Sequence, residues 1–256
     1  MQLKINLNKS VEQNAADYYE KSKKLKKKID GTLKAIEVHE DKLDDLKMQV
    51  EKELKEKQKP KVEIKREWYD KFHWFTSSDG FLVIGGRDAT TNELIIKKHA
   101  EPKDLVFHTE MPGSPFTVIK AEGKEIPETT IREAAEICVI YSRAWKNGFS
   151  PEVFYVNPDQ VTKEARAGEF IAKGAFMIYG KKNFIKDFDM RIAVGIKNGQ
   201  VMGGPITAVQ KHAEKYVIVV QGDKKKSDLA KQVRKEIGGE LDEIMLFLPG
   251  EGKLLK

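Results

Sequence analysis

The sequence has a single cysteine, Cys138, among its 256 residues. One thiol excludes a disulfide framework and argues against a zinc site built from cysteines. The sequence also has no apolar run near the ~18 residues of a membrane-spanning helix, and no signal peptide opens it. These absences predict a soluble, cytoplasmic protein with no membrane partner.

Aromatic residues are also scarce, at 9% of the chain, whereas charged residues make up 34%. The charged share exceeds the ~25% of an average globular domain and predicts a long solvated element. Lys and Arg number 46 against 40 Asp and Glu, for a net charge of +6. This small excess permits a polyanionic partner without requiring one.

Residues 9–66 contain one glycine and one proline and form a segment of their own. Ser10 with Gln13 has the pattern of a helix-starting capping box, and Pro60 is expected to end the helix. Apolar residues seven apart predict a coiled coil; they are Ile29, Ile36, Leu43 and Val50. Gly31 and His39 leave a helical hairpin as an alternative, but the unbroken phase favours one continuous helix. Such a stripe needs a partner, which is a second copy or another segment or protein.

The remaining sequence predicts strands joined by short turns with few helices, which is typical of an α+β fold. The predicted strands are 73–77, 80–85, 94–98, 105–108, 115–120, 153–157, 175–179, 190–196, 200–203, 216–221 and 243–248. The predicted helices are 130–145, begun by a capping box of Thr130 and Glu133, and about 227–237. We expect three parts: an extended lead-in and coiled-coil helix at 1–60, an α+β domain at 61–186, and a small α+β extension at 187–256.

Catalytic motifs are missing from the sequence. None of the five histidines pairs with another at metal-ligand spacing, and no Walker loop or nucleophile elbow is present. Cys138 falls on the apolar face of a predicted helix, where a thiol is packed rather than reactive. We therefore predict no catalytic residue, no metal and no cofactor.

Basic residues at the ends of predicted strands are the remaining candidates. Lys181 and Lys182 follow Gly180 and precede Phe184, the mixture of cation and aromatic that RNA backbones and splayed bases use. Arg87 lies in a turn beside Asp88, where it either contacts a phosphate or base or forms a local ion pair. The less specific interpretation of each cluster is a solvated face.

Several motifs, in order over residues 67–185, resemble the NFACT-R domain. They are WYDKFHWFTSSDGFLVIGGRD at 68–88, NELIIKK at 92–98, DLVFHTEMPGS at 104–114, EAAEICVIYSRAW at 133–145 and QVTKEARAGEFIAKGAFMIYGKKNF at 160–184. Residues 8–28 are similar to the entry to the coiled-coil middle region of the same proteins. The chain thus resembles the C-terminal half of an NFACT ribosome-quality-control protein of the RqcH/NEMF type, and 186–256 looks like the tail of archaeal members.

The resemblance implies an RNA-binding module that acts on stalled large ribosomal subunits carrying peptidyl-tRNA. Its partners would be tRNA, large-subunit rRNA and the subunit itself, and it would support tRNA recruitment for C-terminal tailing. We expect the RNA contacts to come from Arg87, Lys97, Lys98, His108, Lys181, Lys182 and Asn183.

The chain also departs from the family. The family's N-terminal half has no counterpart in these residues, and HTEMPG at 108–113 replaces the usual His-Ala-Asp-Leu-His-Gly. The second histidine of that motif is lost, which argues against paired-histidine chemistry. Two other functions stay open: a coiled-coil protein adaptor with NFACT-R as its scaffold and, ranked last, a nucleic-acid-processing enzyme.

Overall fold

The computed structural model describes residues 4–57, 67–164 and 171–255. The contacts between residues divide the chain into two compact units, Met1–Glu63 and Ile64–Lys256. The predicted boundaries at 60 and 186 stay predictions, although a single hydrophobic cluster draws side chains from both 61–186 and 187–256.

The first unit is built on one helix, α1, which runs without a break over Val11–Lys57. Its start is the predicted capping box, because the Gln13 amide donates to Ser10 Oγ at 3.2 Å and the Ser10 amide to Gln13 Oε1 at 3.0 Å. The lead-in folds back on the first turns, where Tyr18 donates its hydroxyl to the carbonyl of Lys4 at 2.7 Å. A continuous helix is therefore confirmed over the hairpin alternative.

The second unit mixes strands and helices. Its strands are β1 His73–Thr76, β2 Leu82–Gly85, β3 Leu105–Thr109, β4 Thr117–Ile119, β5 Val153–Val156, β6 Val161–Thr162, β7 Met177–Ile178, β8 Asn183–Ile185, β9 Arg191–Lys197, β10 Gln200–Gly204, β11 Lys215–Lys224 and β12 Gly252–Leu254. Its α-helices are α2 Ala89–Leu94, α3 Glu128–Ile140, α4 Ala144–Asn147, α5 Ile206–His212, α6 Lys226–Ile237 and α7 Leu241–Phe247, with a π-helical turn at Ile95–His99 and a 3₁₀ turn at Pro158–Gln160. The α+β prediction is confirmed.

All strand pairs described are antiparallel. The larger sheet has six strands in the order β1-β2-β4-β3-β5-β8, and a second sheet has four in the order β10-β9-β11-β12. A third, two-stranded sheet joins β6 to β7. In the six-stranded sheet β8 is an edge strand, bonded to β5 alone.

Alternating residues give the six-stranded sheet two different faces. On one face Phe75, Phe107 and Ile119 pack in the same cluster as α3 and the four-stranded sheet. On the other face Val106, Val118 and Phe154 form a separate cluster with the π-helical turn and with residues of β6 and β7. The buried side chains place hydrophobic cores on both sides of this sheet.

Two predicted strands are wrong because they are helical. Residues 94–98 end α2 and begin the π-helical turn, since Asp88 caps α2 through the Thr91 amide at 2.8 Å and starts a helix upstream. Residues 243–248 lie mostly in α7, where Ile244 and Phe247 are buried at helical spacing.

The predicted start of the 130–145 helix is also wrong. The helix α3 begins at Glu128, with Pro127 at its N-cap. Thr130 Oγ1 bonds instead to Ser77 Oγ at 2.9 Å, and the carboxylate of Glu133 accepts from the Ser78 amide at 2.9 Å and from Thr207 Oγ1 at 2.6 Å. The bonds of Ser77 and Ser78 hold the β1–β2 turn on α3, and the bond from Thr207 joins α5 to the same helix.

Candidate nucleic-acid interface

A row of rings crosses the face of the six-stranded sheet that lies opposite α3. The strand register sets His108 opposite Phe154 and Phe154 opposite Phe184. Directly opposite residues project from the same face, so the three rings follow one another to the sheet edge. Neighbouring centroids are 6.1 Å apart in both pairs. Phe154 is buried, whereas Phe184 on the edge strand is 48% exposed.

The row continues inward through two further rings. Phe116 lies 4.5 Å from His108, and Phe176 meets Phe116 edge-on at 5.3 Å, both between centroids. We call the five rings the aromatic row; its members are Phe176, Phe116, His108, Phe154 and Phe184.

Two lysines cover the aromatic row. Lys182 Nζ lies 4.3 Å from the centroid of Phe154, and Lys163 Nζ lies 4.8 Å from that of Phe176. Each ammonium also has an acid beside it, Glu110 at 2.9 Å for Lys182 and Glu93 at 2.7 Å for Lys163. Each lysine is thus fixed between a ring and a carboxylate.

Lys97 belongs to the same network through Glu93. Its Nζ lies 3.8 Å from Glu93 Oε2, while Lys163 occupies Oε1 of that carboxylate. The hydrogen bond from Lys163 is the main reason that the pKa of Glu93 is lowered. Lys98 is exposed on the same π-helical turn. This turn was predicted as a strand end, so the lysines are presented by a different element from the one expected.

Gln160 anchors the segment that leads into β8. Gln160 Nε2 donates to the carbonyls of Tyr179 at 2.8 Å and of Lys181 at 3.1 Å. Gly180 between them has a φ of 87°, and a Cβ there would come within 2.6 Å of Gln160 Nε2. The positive φ favours glycine at this position, and the turn directs Lys182 toward Phe154. Lys181 itself is exposed.

His108 and Asn183 differ in orientation. Burial lowers the pKa of His108, and its Nδ1 donates to the carbonyl of Thr109 at 2.7 Å, so the ring is neutral at neutral pH. Asn183 is opposite Tyr155, whose side chain packs on the α3 side of the sheet. The structure therefore groups His108 with Lys182 and directs Asn183 to the other face.

Arg87 is separated from this group. It follows β2, and its guanidinium interacts electrostatically with His73, Tyr141 and Lys226 on the α3 side of the sheet. The seven predicted residues thus lie around more than one face. Lys163, Phe154 and Phe176 were not among the residues predicted from the sequence.

We also searched residues 4–57, 67–164 and 171–255 for a reactive cysteine, a metal site and a membrane-spanning helix. Burial raises the pKa of the Cys138 thiol to about 12, far from that of a nucleophile. Within these ranges no group of three or more His, Cys, Asp or Glu side chains is placed to hold a metal ion. None of the helices described is both long enough and apolar enough to cross a bilayer.

Comparisons with known proteins agree with the motifs. Residues 71–180 match the NFACT protein RNA binding domain. The chain is 39% identical over 202 residues to the archaeal Rqc2 homolog aRqcH of Methanocaldococcus jannaschii, and the match covers 76% of this chain and 30% of that protein. It is 38% identical to the ribosome quality control complex subunit NEMF homolog of Drosophila melanogaster, over 75% of this chain and 20% of that one.

The human ribosome quality control complex subunit NEMF is 36% identical over 173 residues, which are 67% of this chain and 16% of that protein. The chain therefore spans about a third or less of the length of these relatives. Their names share ribosome quality control or its Rqc2 factor. The matched residues 71–180 include four of the five rings of the aromatic row, all but Phe184. The chain belongs to the NFACT family of RqcH/NEMF-type proteins, and residues 71–180 are its NFACT-R domain.

Proposed function

We propose that this chain is the RNA-binding module of a ribosome quality control factor, and that it binds RNA along the aromatic row. The observation that carries the proposal is the pair of lysines, Lys182 and Lys163, held over rings that lead to the exposed Phe184. Single-stranded RNA is bound by such combinations, in which bases stack on rings and phosphates meet cations.

In the cell, the bound RNA would be tRNA or large-subunit rRNA on a stalled subunit that carries peptidyl-tRNA. The family membership and the relatives' names support this role. The proposal also includes a more specific role, in which the chain supports tRNA recruitment for C-terminal tailing. The chemistry of tailing would belong to the ribosome, with this chain acting by binding alone.

The first test removes the two cations at the sheet edge. Each phosphate contact contributes about 0.7 to the slope of log affinity against log salt for single strands, so Lys181→Ala/Lys182→Ala should lower the slope by about 1.4. At 0.1 M salt this corresponds to about a 25-fold weaker affinity for tRNA, measured by filter binding.

The control for this test is Lys124→Ala. Lys124 is an exposed lysine in the turn before α3, and its removal changes the net charge without touching the row. Its affinity and slope should stay close to those of the unchanged chain. Equal slopes for the double variant and the control would remove Lys181 and Lys182 from the interface.

A second function, helix pairing by α1, is favoured by a separate observation. The heptad residues of α1 are about half exposed, with Ile29 at 58%, Ile36 at 48% and Leu43 at 53%. A seven-residue apolar stripe of this kind is covered when two helices supercoil.

Sedimentation of the full chain tests the pairing. A concentration-dependent dimer that Ile29→Glu/Ile36→Glu converts to a monomer would support it. The same variant should bind RNA with unchanged affinity, because the row lies in the other unit. A monomer at all concentrations would exclude self-association and leave only a different partner.

A further inference from the structure

Two cationic side chains converge on the α3 side of the six-stranded sheet, away from the aromatic row. Arg87 follows β2 and is partly buried, and Lys226 begins α6 and is also partly buried. Lys226 closely follows β11, and Gln221 Nε2 on β11 donates to the carbonyl of Trp145 at 2.6 Å, which holds the end of β11 against α4.

Stacked rings and a hydrogen bond hold the neighbours of Arg87 in place. The rings of His73 and Tyr141 are stacked, with centroids 3.7 Å apart and planes inclined by 12°. Tyr141 donates its hydroxyl to the carbonyl of Phe247 at 2.8 Å, which fixes this stack against α7. His73 pairs with Gly85 across the β1–β2 ladder, directly before the turn that carries Arg87.

The charges in this cluster are not compensated within the described chain. No carboxylate of the described residues lies within ion-pair distance of either Arg87 or Lys226, although Asp70 exerts a weak favourable field on Arg87. Burial and the neighbouring Arg87 lower the pKa of Lys226, and burial is also the main reason that the pKa of His73 falls to about 3. His73 is thus neutral, and the local charge near +2 comes from two cations that repel each other.

Hydrogen bonding is also incomplete here. Arg87 Nε and His73 Nδ1 are buried and lack a partner among the described residues. A buried donor left unpaired is costly, and buried cations are normally paired with an anion. A bound oxyanion would accept a hydrogen bond from Arg87, and its negative charge would offset the repulsion between Arg87 and Lys226.

We infer that Arg87 and Lys226 form a site for one phosphate group, on the opposite face of the sheet from the aromatic row. The guanidinium would donate to the phosphate oxygens and the ammonium would supply the second charge. The first amides of α6 lie beside Lys226 and add a favourable dipole. The phosphate belongs either to the backbone of bound RNA or to a free phosphate-bearing ligand.

Thermal unfolding of the full chain in inorganic phosphate, against chloride at the same ionic strength, tests the site. We expect phosphate to raise the midpoint by about 2–4 °C over chloride. Lys226→Met and Arg87→Met should each abolish this increment. Lys235→Met, which removes an exposed lysine at the far end of α6, should keep it.

A second readout protects the test against a variant that folds poorly. In chloride alone, Lys226→Met should unfold at a higher temperature than the unchanged chain, because one of two repelling charges is gone. No phosphate-specific rise in the unchanged chain, or a rise that survives in both variants, would overturn the site.

The salt dependence of RNA binding separates the two sources of phosphate. If the site takes an RNA phosphate, Lys226→Met lowers the salt slope by about 0.7. If it takes a free ligand, the slope is unchanged while the phosphate increment is still lost. Because these residues are remote from Lys181 and Lys182, the site can fail while the proposed RNA face stands, and the reverse.

Discussion

Phe184 offers the sharpest test of the RNA face, because its ring is both exposed and central to the proposal. Truncation by Phe184→Ala should cost little folding stability, since nearly half of the side chain already faces solvent. Stacking of one base on an aromatic ring contributes about 1–3 kcal/mol, so the affinity for single-stranded RNA should fall by about 5-fold to 150-fold.

The structure narrows the loss of RNA affinity that is expected for Phe184→Ala. The centroids of Phe184 and Phe154 are 6.1 Å apart with the ring planes inclined by 66°, and among the described residues no other aromatic ring contacts Phe184. One ring face accepts one base, so we expect a loss near the middle of that range, about 2 kcal/mol. Phe184→Tyr, which keeps the ring, should retain most of the affinity.

Fluorescence anisotropy with a labelled oligoribonucleotide, repeated at several salt concentrations, measures the effect. The salt slope should be the same for Phe184→Ala and the unchanged chain, because no cation is removed. Leu246→Ala, a truncation of an exposed apolar residue on α7, is the matched control and should bind normally. Unchanged affinity in a folded Phe184→Ala protein would refute stacking at the sheet edge.

Two further predictions concern the stability of the fold that presents this face. Lys120 Nζ lies 2.5 Å from Asp104 Oδ2 with both side chains buried, so Lys120→Met should lower the free energy of unfolding by about 3–5 kcal/mol in urea, against little change for Lys124→Met. Burial raises the pKa of Glu136 to about 7 from 4.5, so the folded state binds the proton more tightly and stability should fall as pH rises from about 4.5 to 7. Glu136→Gln should flatten that part of the pH profile, and an unchanged slope would show that Glu136 does not titrate as expected.

Local sequence signals predicted most of the helices and strands. They failed where a stronger signal in a neighbouring segment favoured a different element. The heptad spacing and the Ser10 cap predicted α1 because both depend on residues within one or two turns. The strand prediction at 94–98 failed because two adjacent isoleucines favour a strand, whereas the helix had already started at the Asp88 cap. The strand propensity of these five residues is outweighed by the helix cap upstream, because the cap satisfies backbone amides at the start of the helix.

The site was less accessible to sequence reasoning than the fold. The lysine pair and its nearby aromatic were visible, but the ring beneath Lys182 is Phe154 on the neighbouring strand, 28 positions earlier. Which strands pair is decided by the long-range register, and no local pattern encodes it. For the same reason the sequence did not show that Arg87 and Lys182, both beside strand ends, lie on opposite faces of the sheet.

The carboxylates that pair with Lys182 and Lys163 affect how the aromatic row would bind RNA. Glu110 and Glu93 reduce the positive field, yet they hold two long side chains that would otherwise lose about 1.5–2 kcal/mol each of rotamer entropy on binding. The Lys182–Glu110 pair is partly exposed and adds little stability by itself, so a phosphate can replace the carboxylate at small cost. Ion pairing of these lysines is therefore compatible with the proposed RNA binding: the carboxylates fix each ammonium above its ring, and the exposed ring of Phe184 on the same face would offer the stacking surface.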